Sequence, residues 1–170
     1  MSKKVKIIIV LVLLLAVIGT ISIIIASRVK IKDYSNSNFK VSYDTTWKVK
    51  NSGEELYLVH KKTKSELKIQ CKVLDSNYID TSLSDLIDDI IYSIEEQNSD
   101  YKLINRSEDV SQKYDSYAYL YEKDDEQVSV TILKKDAKLL FISYEADTKY
   151  FDILLPSVDD VLRSIEFVFD

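Results

Sequence analysis

Three hydrophobic patterns divide this chain. Residues 7–26 (IIIVLVLLLAVIGTISIIIA) are apolar apart from Gly19, Thr20 and Ser22. From residue 39 onward, apolar and polar positions mostly alternate with a period of two, which places alternate side chains on opposite faces of a strand. Between them in character is residues 82–97, where Leu83, Leu86, Ile87, Ile90, Ile91 and Ile94 recur at helical spacing and form a wide apolar stripe.

The alternating regions predict strands over 39–43 and 47–49, then 56–60 and 67–73. In the last of these Leu67, Ile69, Cys71 and Val73 share one face and Lys68, Gln70 and Lys72 the other. Four more strands are predicted at 101–107, 114–122, 128–134 and 138–145, joined by tight turns at Asp124-Asp125-Glu126 and Lys135-Asp136. Connections this short imply antiparallel neighbours. The helix at 82–97 has Thr81 or Ser82 as its cap, since a hydroxyl there accepts from an otherwise unpaired first-turn amide. A second helix is expected from 147 to 163, interrupted at Pro156, whose ring opposes helix continuation. A short apolar segment at 165–169 closes the chain. This pattern predicts an α+β domain, an antiparallel sheet packed against helices, behind an N-terminal transmembrane helix.

The apolar run matches the roughly 20 residues that cross a bilayer core as a helix. Lys3, Lys4 and Lys6 precede it, and Arg28, Lys30 and Lys32 follow it. Its length exceeds that of a secretory signal, and no A-x-A site follows, so an uncleaved anchor is favoured over a cleaved signal. The short leading tail favours an amino terminus inside and the domain outside the cytoplasm. Equal basic flanks leave the reverse orientation open. The expected organisation is a basic tail, anchor and basic collar over 1–32, a polar spacer at 33–38 (DYSNSN) and one folded domain over 39–170.

Charge changes the picture next. The six Lys or Arg of residues 1–32 leave 17 basic against 28 acidic residues in the remainder, a formal charge of −11. Such a domain is repelled by phosphate backbones, so nucleic acid is not an expected partner. The expected partners are the lipid bilayer, through residues 7–26, and an envelope protein or glycan.

Candidate chemistry is sparse. Cys71 is a lone cysteine and reads as a small core residue. His60, the only histidine, reads as an exposed strand end rather than a base or metal ligand. No glycine-rich phosphate loop or nucleophile elbow occurs. Asp85/Asp88/Asp89, Asp124/Asp125/Glu126 and Asp159/Asp160 lack calcium-loop spacing and read as solvated faces and turns. No catalytic residue, metal or cofactor is assigned. The one candidate partner face is aromatic: Tyr117, Tyr119 and Tyr121 line one side of a strand beside Tyr114. Tyrosine suits recognition surfaces, because its ring buries area while its hydroxyl still bonds. Packing into a core is the competing reading of the same ladder.

The two ends of the domain resemble the PsbP-like superfamily. Asn38-Phe39-Lys40-Val41-Ser42-Tyr43-Asp44 followed by Trp47 resembles its aromatic opening strand, with Asp44 where a proline is usual. Tyr144-Glu145-Ala146, Phe151 and Val161-Leu162-Arg163-Ser164-Ile165-Glu166-Phe167 resemble its closing helix and terminal segment. The superfamily includes extrinsic photosystem II subunits, a Ran-binding import factor and bacterial membrane-anchored proteins. The resemblance implies an α/β sandwich with a binding or accessory role and no shared catalytic set. The expected function is therefore a single-pass, extracytoplasmic, non-catalytic binding protein. An envelope hydrolase using carboxylates and a purely structural envelope protein are the alternatives.

Overall fold

The computed structural model describes residues 30–97, 100–108 and 113–169. The membrane span expected at 7–26 lies outside the described residues. Among those described, no helix is long and apolar enough to cross a membrane.

Residues 31–169 form one compact unit built on two antiparallel sheets. In chain order the strands are β1 (Ile31–Ser35), β2 (Phe39–Asp44), β3 (Trp47–Ser52), β4 (Glu55–His60) and β5 (Glu66–Val73). Helix α1 (Leu83–Gln97) follows, then β6 (Lys102–Glu108), β7 (Asp115–Lys123), β8 (Glu126–Lys135) and β9 (Lys138–Asp147). Helix α2 (Thr148–Ser164) and β10 (Glu166–Phe167) complete it. The small sheet has the order β1-β2-β10, and the large one β3-β4-β5-β9-β8-β7-β6.

The period-two pattern splits the large sheet into two faces with different covers. Leu56, Leu58, Leu67, Ile69, Leu140, Ile142 and Tyr144 point to one face. There they meet Phe151, Val158 and Val161 of α2 together with Phe39, Val41 and Phe167 of the small sheet. Each such side chain taken from water contributes about 1.5–3 kcal/mol, so this core is the main stabilising mass. On the opposite face Tyr117, Tyr119, Tyr121, Ile132 and Leu139 lie beneath Leu83, Ile87 and Ile91 of α1. Ser82 caps α1, its Oγ accepting from the Asp85 amide at 3.2 Å.

Several expectations are corrected. The first half of the spacer expected at 33–38 is strand: β1 pairs with β2 from Ile31↔Asp44 to Ser35↔Lys40. Its polar composition reflects an edge strand that contributes backbone hydrogen bonds and only one half-buried ring, Tyr34. The terminal helix is not interrupted, because α2 runs through Pro156. Val73 shares phase with Leu67 and Ile69 but is 61% exposed, since β5 has by then run past its cover. His60 is buried, in phase with Leu56 and Leu58.

The turns account for one acidic group. Asp124 and Asp136 adopt φ 50°, a left-handed conformation that aspartate tolerates better than most residues. The Asp125 carbonyl accepts from the Thr148 amide at 2.7 Å and hydroxyl at 2.9 Å, tying this hairpin to the start of α2.

Candidate functional site

Helix α1 covers only half of its sheet face, and the register shows what lies on each side. Row by row, Tyr121, Val128, Glu145 and Glu66 stand side by side, then Tyr119, Val130, Ser143, Lys68 and Tyr57. A third row is Tyr117, Ile132, Phe141, Gln70 and Glu55. Each row passes from aromatic and apolar residues on β7 and β8 to polar ones on β5 and β4. The helix sits on the apolar end, because its own stripe is satisfied there. The polar end stays open.

A cleft of about 1050 Å³ lies at this boundary. Ile90, Ser93 and Ile94 of α1 form one wall, and Val128, Val130, Phe141, Ser143 and Glu145 lie along the sheet. Glu55, Lys68, Gln70 and Lys72 line it from β4 and β5. The polar wall is organised by its own contacts. Glu55 accepts from Gln70 Nε2 at 2.6 Å and from Asn51 Nδ2 at 2.8 Å, which holds its carboxyl below the usual range. Lys68 Nζ stands 3.0 Å from Glu66 and 4.8 Å over the Tyr57 ring. Lys50 donates to Tyr57 Oη at 2.9 Å.

Two groups at the cleft are not satisfied in this way. Glu145 is half-buried, and no described lysine or arginine comes within ion-pair distance of it. Burial, with Glu126 and Glu66 nearby, pushes its carboxyl up despite the distant pull of Lys68. Tyr121 is 4% exposed, and its buried hydroxyl has no hydrogen-bond partner among the described residues. Burial pushes that phenol up to about 12.

The candidate aromatic face is corrected by these positions. Tyr117, Tyr119 and Tyr121 are 9%, 2% and 4% exposed and pack beneath α1, so they present no aromatic surface to a partner. Tyr114 is half-buried beside the other core, its ring edge-on to Phe167 at 4.9 Å. Tyr121 alone of the four touches the cleft. The cleft itself was not expected from sequence. The signal for it was the polarity change between strands: β7 and β8 carry apolar residues on this face where β5 carries Lys68, Gln70 and Lys72.

The residues considered for catalysis do not form a site. His60 Nδ1 pairs with Thr63 Oγ1 at 2.8 Å, and its ring packs edge-on against Trp47 at 5.4 Å. Burial holds its pKa low, so it is a neutral core group. The nearby Ser157 hydroxyl donates to Asp44 at 2.7 Å and accepts from Trp47 Nε1 at 2.9 Å, a link between strand and helix that does not include the His60 ring. Among the described residues no cluster of His, Cys, Asp or Glu has metal-binding geometry. Cys71 is half-buried, and burial raises its thiol, the opposite of activation.

A seven-stranded antiparallel sheet, with one helix on each face and a small sheet beside the second helix, defines an α+β sandwich of the PsbP-like fold. It is similar to cyanobacterial PsbP from Synechocystis, with a TM-score of 0.61 and 14% identity over 82% of this chain and 93% of that one. A protein of unknown function from Pseudomonas aeruginosa matches with a TM-score of 0.53 and 13% identity, over 79% of this chain and 94% of that one. A Bacteroides thetaiotaomicron protein matches at 0.51 and 10%, over 84% of this chain and 50% of that one. No protein-family model matches the sequence, and no curated protein does.

Proposed function

We propose that this chain is a single-pass membrane protein whose PsbP-like domain stands outside the cytoplasm and binds another envelope component without catalysis. The cleft beside α1 is the binding site. The observation that carries this reading is the half-covered sheet face: an open space of about 1050 Å³ with an apolar floor and a pre-ordered polar wall. Ligand sites are concave, mostly apolar and supplied with a few placed polar groups, and this cleft has that composition. The apolar run at 7–26 with basic flanks supports the membrane anchor.

Crosslinking in cells tests it. A photoreactive side chain at Glu54 or Lys72, on the cleft lip, is expected to give one common adduct from the full-length protein. The same probe at Ile153, exposed on α2, is expected to give none. Ser143→Phe, which fills the cleft, removes the adduct. Equal yields from all three positions, or an adduct indifferent to Ser143→Phe, overturn the reading.

The hydrolase alternative has one observation in its favour. Glu145 and Glu66 are partners across β9 and β5, one carboxyl pushed up by burial and the other held low, chiefly by Tyr57 and Lys68 against burial. A divergent pair of this kind marks many acid–base sites. Here Glu66 is occupied by Lys68 and is not part of the cleft lining, so the two carboxylates do not converge on a substrate.

A further inference from the structure

We infer that the cleft takes an extended peptide segment that carries a lysine or arginine with apolar residues two and four positions along, its cation seated on Glu145. This names the ligand class of the site proposed above and rests on that reading.

The charge pattern points to a cation. Glu145 is the half-buried carboxylate of the cleft, and its local field is acidic: Glu66 on β5 and Glu126 on β8 face it, with only Lys68 opposing them. Lys68 is already committed to Glu66 at 3.0 Å and to the Tyr57 ring. The surrounding domain carries the strong acidic excess noted above. Lys72 lines the cleft three rows away from Glu145, so at Glu145 itself an anionic ligand would meet net repulsion, whereas a cation would replace the water lost from that carboxylate with a charge-assisted hydrogen bond.

The shape points to an extended chain. At about 1050 Å³ the cleft stands at the upper end of small-ligand sites, and it is open along one side. Phe141, Ser143 and Glu145 alternate along one face of β9, apolar at one end and anionic at the other. Side chains two apart on an extended peptide repeat with the same spacing as those on a strand, about 6–7 Å. A peptide lying along β9 therefore sets one apolar residue beside Val130 and the next over Phe141 when its cation meets Glu145.

The test uses the full chain in neutral lipid nanodiscs and three blocked pentapeptides, read by calorimetry. One has lysine at position 1, leucine at positions 3 and 5 and serine between them; the others carry glutamate for lysine or alanine for leucine. The leucine–lysine peptide is expected to bind at least tenfold more tightly than either counterpart. Glu145→Gln is expected to weaken it at least tenfold, and Ser143→Phe to abolish it. Because burial already disfavours the Glu145 charge, Glu145→Gln should keep or raise the melting temperature. Lost binding with preserved stability distinguishes a ligand group from a scaffold group. Failure of the lysine peptide to bind, equal affinity for the glutamate peptide, or indifference to Glu145→Gln overturns the cation assignment while the cellular crosslinks still judge the cleft. Binding that survives Ser143→Phe overturns both.

Discussion

Tyr121 and Tyr144 are both buried phenols with opposite hydrogen-bond fates. Tyr144 donates to the Phe151 carbonyl at 3.0 Å, which anchors α2 to β9, while the Tyr121 hydroxyl has no partner among the described residues. Removing a satisfied buried hydroxyl costs about 1 kcal/mol, whereas removing an unsatisfied one is neutral or favourable. Tyr144→Phe is therefore expected to lower stability by about 1 kcal/mol, and Tyr121→Phe to hold or raise it, as read by urea unfolding. Burial also raises both phenols, Tyr121 to about 12, so each ionises more readily when unfolded. The Tyr121 contribution is complete below pH 10 and is lost as pH rises through about 12. Unfolding midpoints compared at pH 8 and pH 11 should fall less in Tyr121→Phe than in the parent. The tyrosine alternation was legible in sequence, but its cover was not, since period two names a face without naming what lies on it. His60 shows the converse: its phase with Leu56 and Leu58 announced burial, and its polarity concealed it.

Elements with a strong repeat were legible, and of the two strands exposed along most of their length β6 was read from its position before a hairpin while β1 was missed. The apolar stripe of α1 and the alternation of β5 and β7–β9 place these elements within a residue or two of their observed bounds. β1 has no such repeat, because a solvent-facing edge strand needs only its ladder to β2. Helix α2 was read as broken because proline lacks the amide that would bond the Asp152 carbonyl. Pro156 and Asp152 are both exposed, so that carbonyl faces water and the helix continues on the packing of Phe151, Val158 and Val161. The proline still carries its local cost. Pro156→Ala is expected to stabilise the domain by about 1–3 kcal/mol, measured as a shift in urea midpoint at constant m-value. A loss of stability would mean that the proline relieves a strain the packing imposes.

At the scale of the whole molecule, charge divides the sequence into an uncharged run at 7–26 and a strongly acidic remainder. A 20-residue helix spans about 30 Å, the thickness of a hydrocarbon core, and residues 7–26 carry no charge that would oppose insertion. The acidic excess of the rest disfavours anionic headgroups, so on the reading proposed above a membrane would hold the domain through residues 7–26 and not through its surface. The full-length protein is accordingly expected in the pellet after carbonate washing. With the amino terminus inside, added protease should degrade the domain in spheroplasts and spare it in inverted vesicles. The reverse protection pattern would put the domain in the cytoplasm, where the peptide cleft would face a different set of partners. On the proposed reading the cleft would meet basic segments of envelope proteins, and binding of the leucine–lysine peptide should weaken with salt, because the attraction between an exposed domain and a cationic chain is screened within about 10 Å at 0.1 M. The apolar part of the contact is insensitive to that screening, so a tenfold rise in salt should reduce affinity for the leucine–lysine peptide without abolishing it.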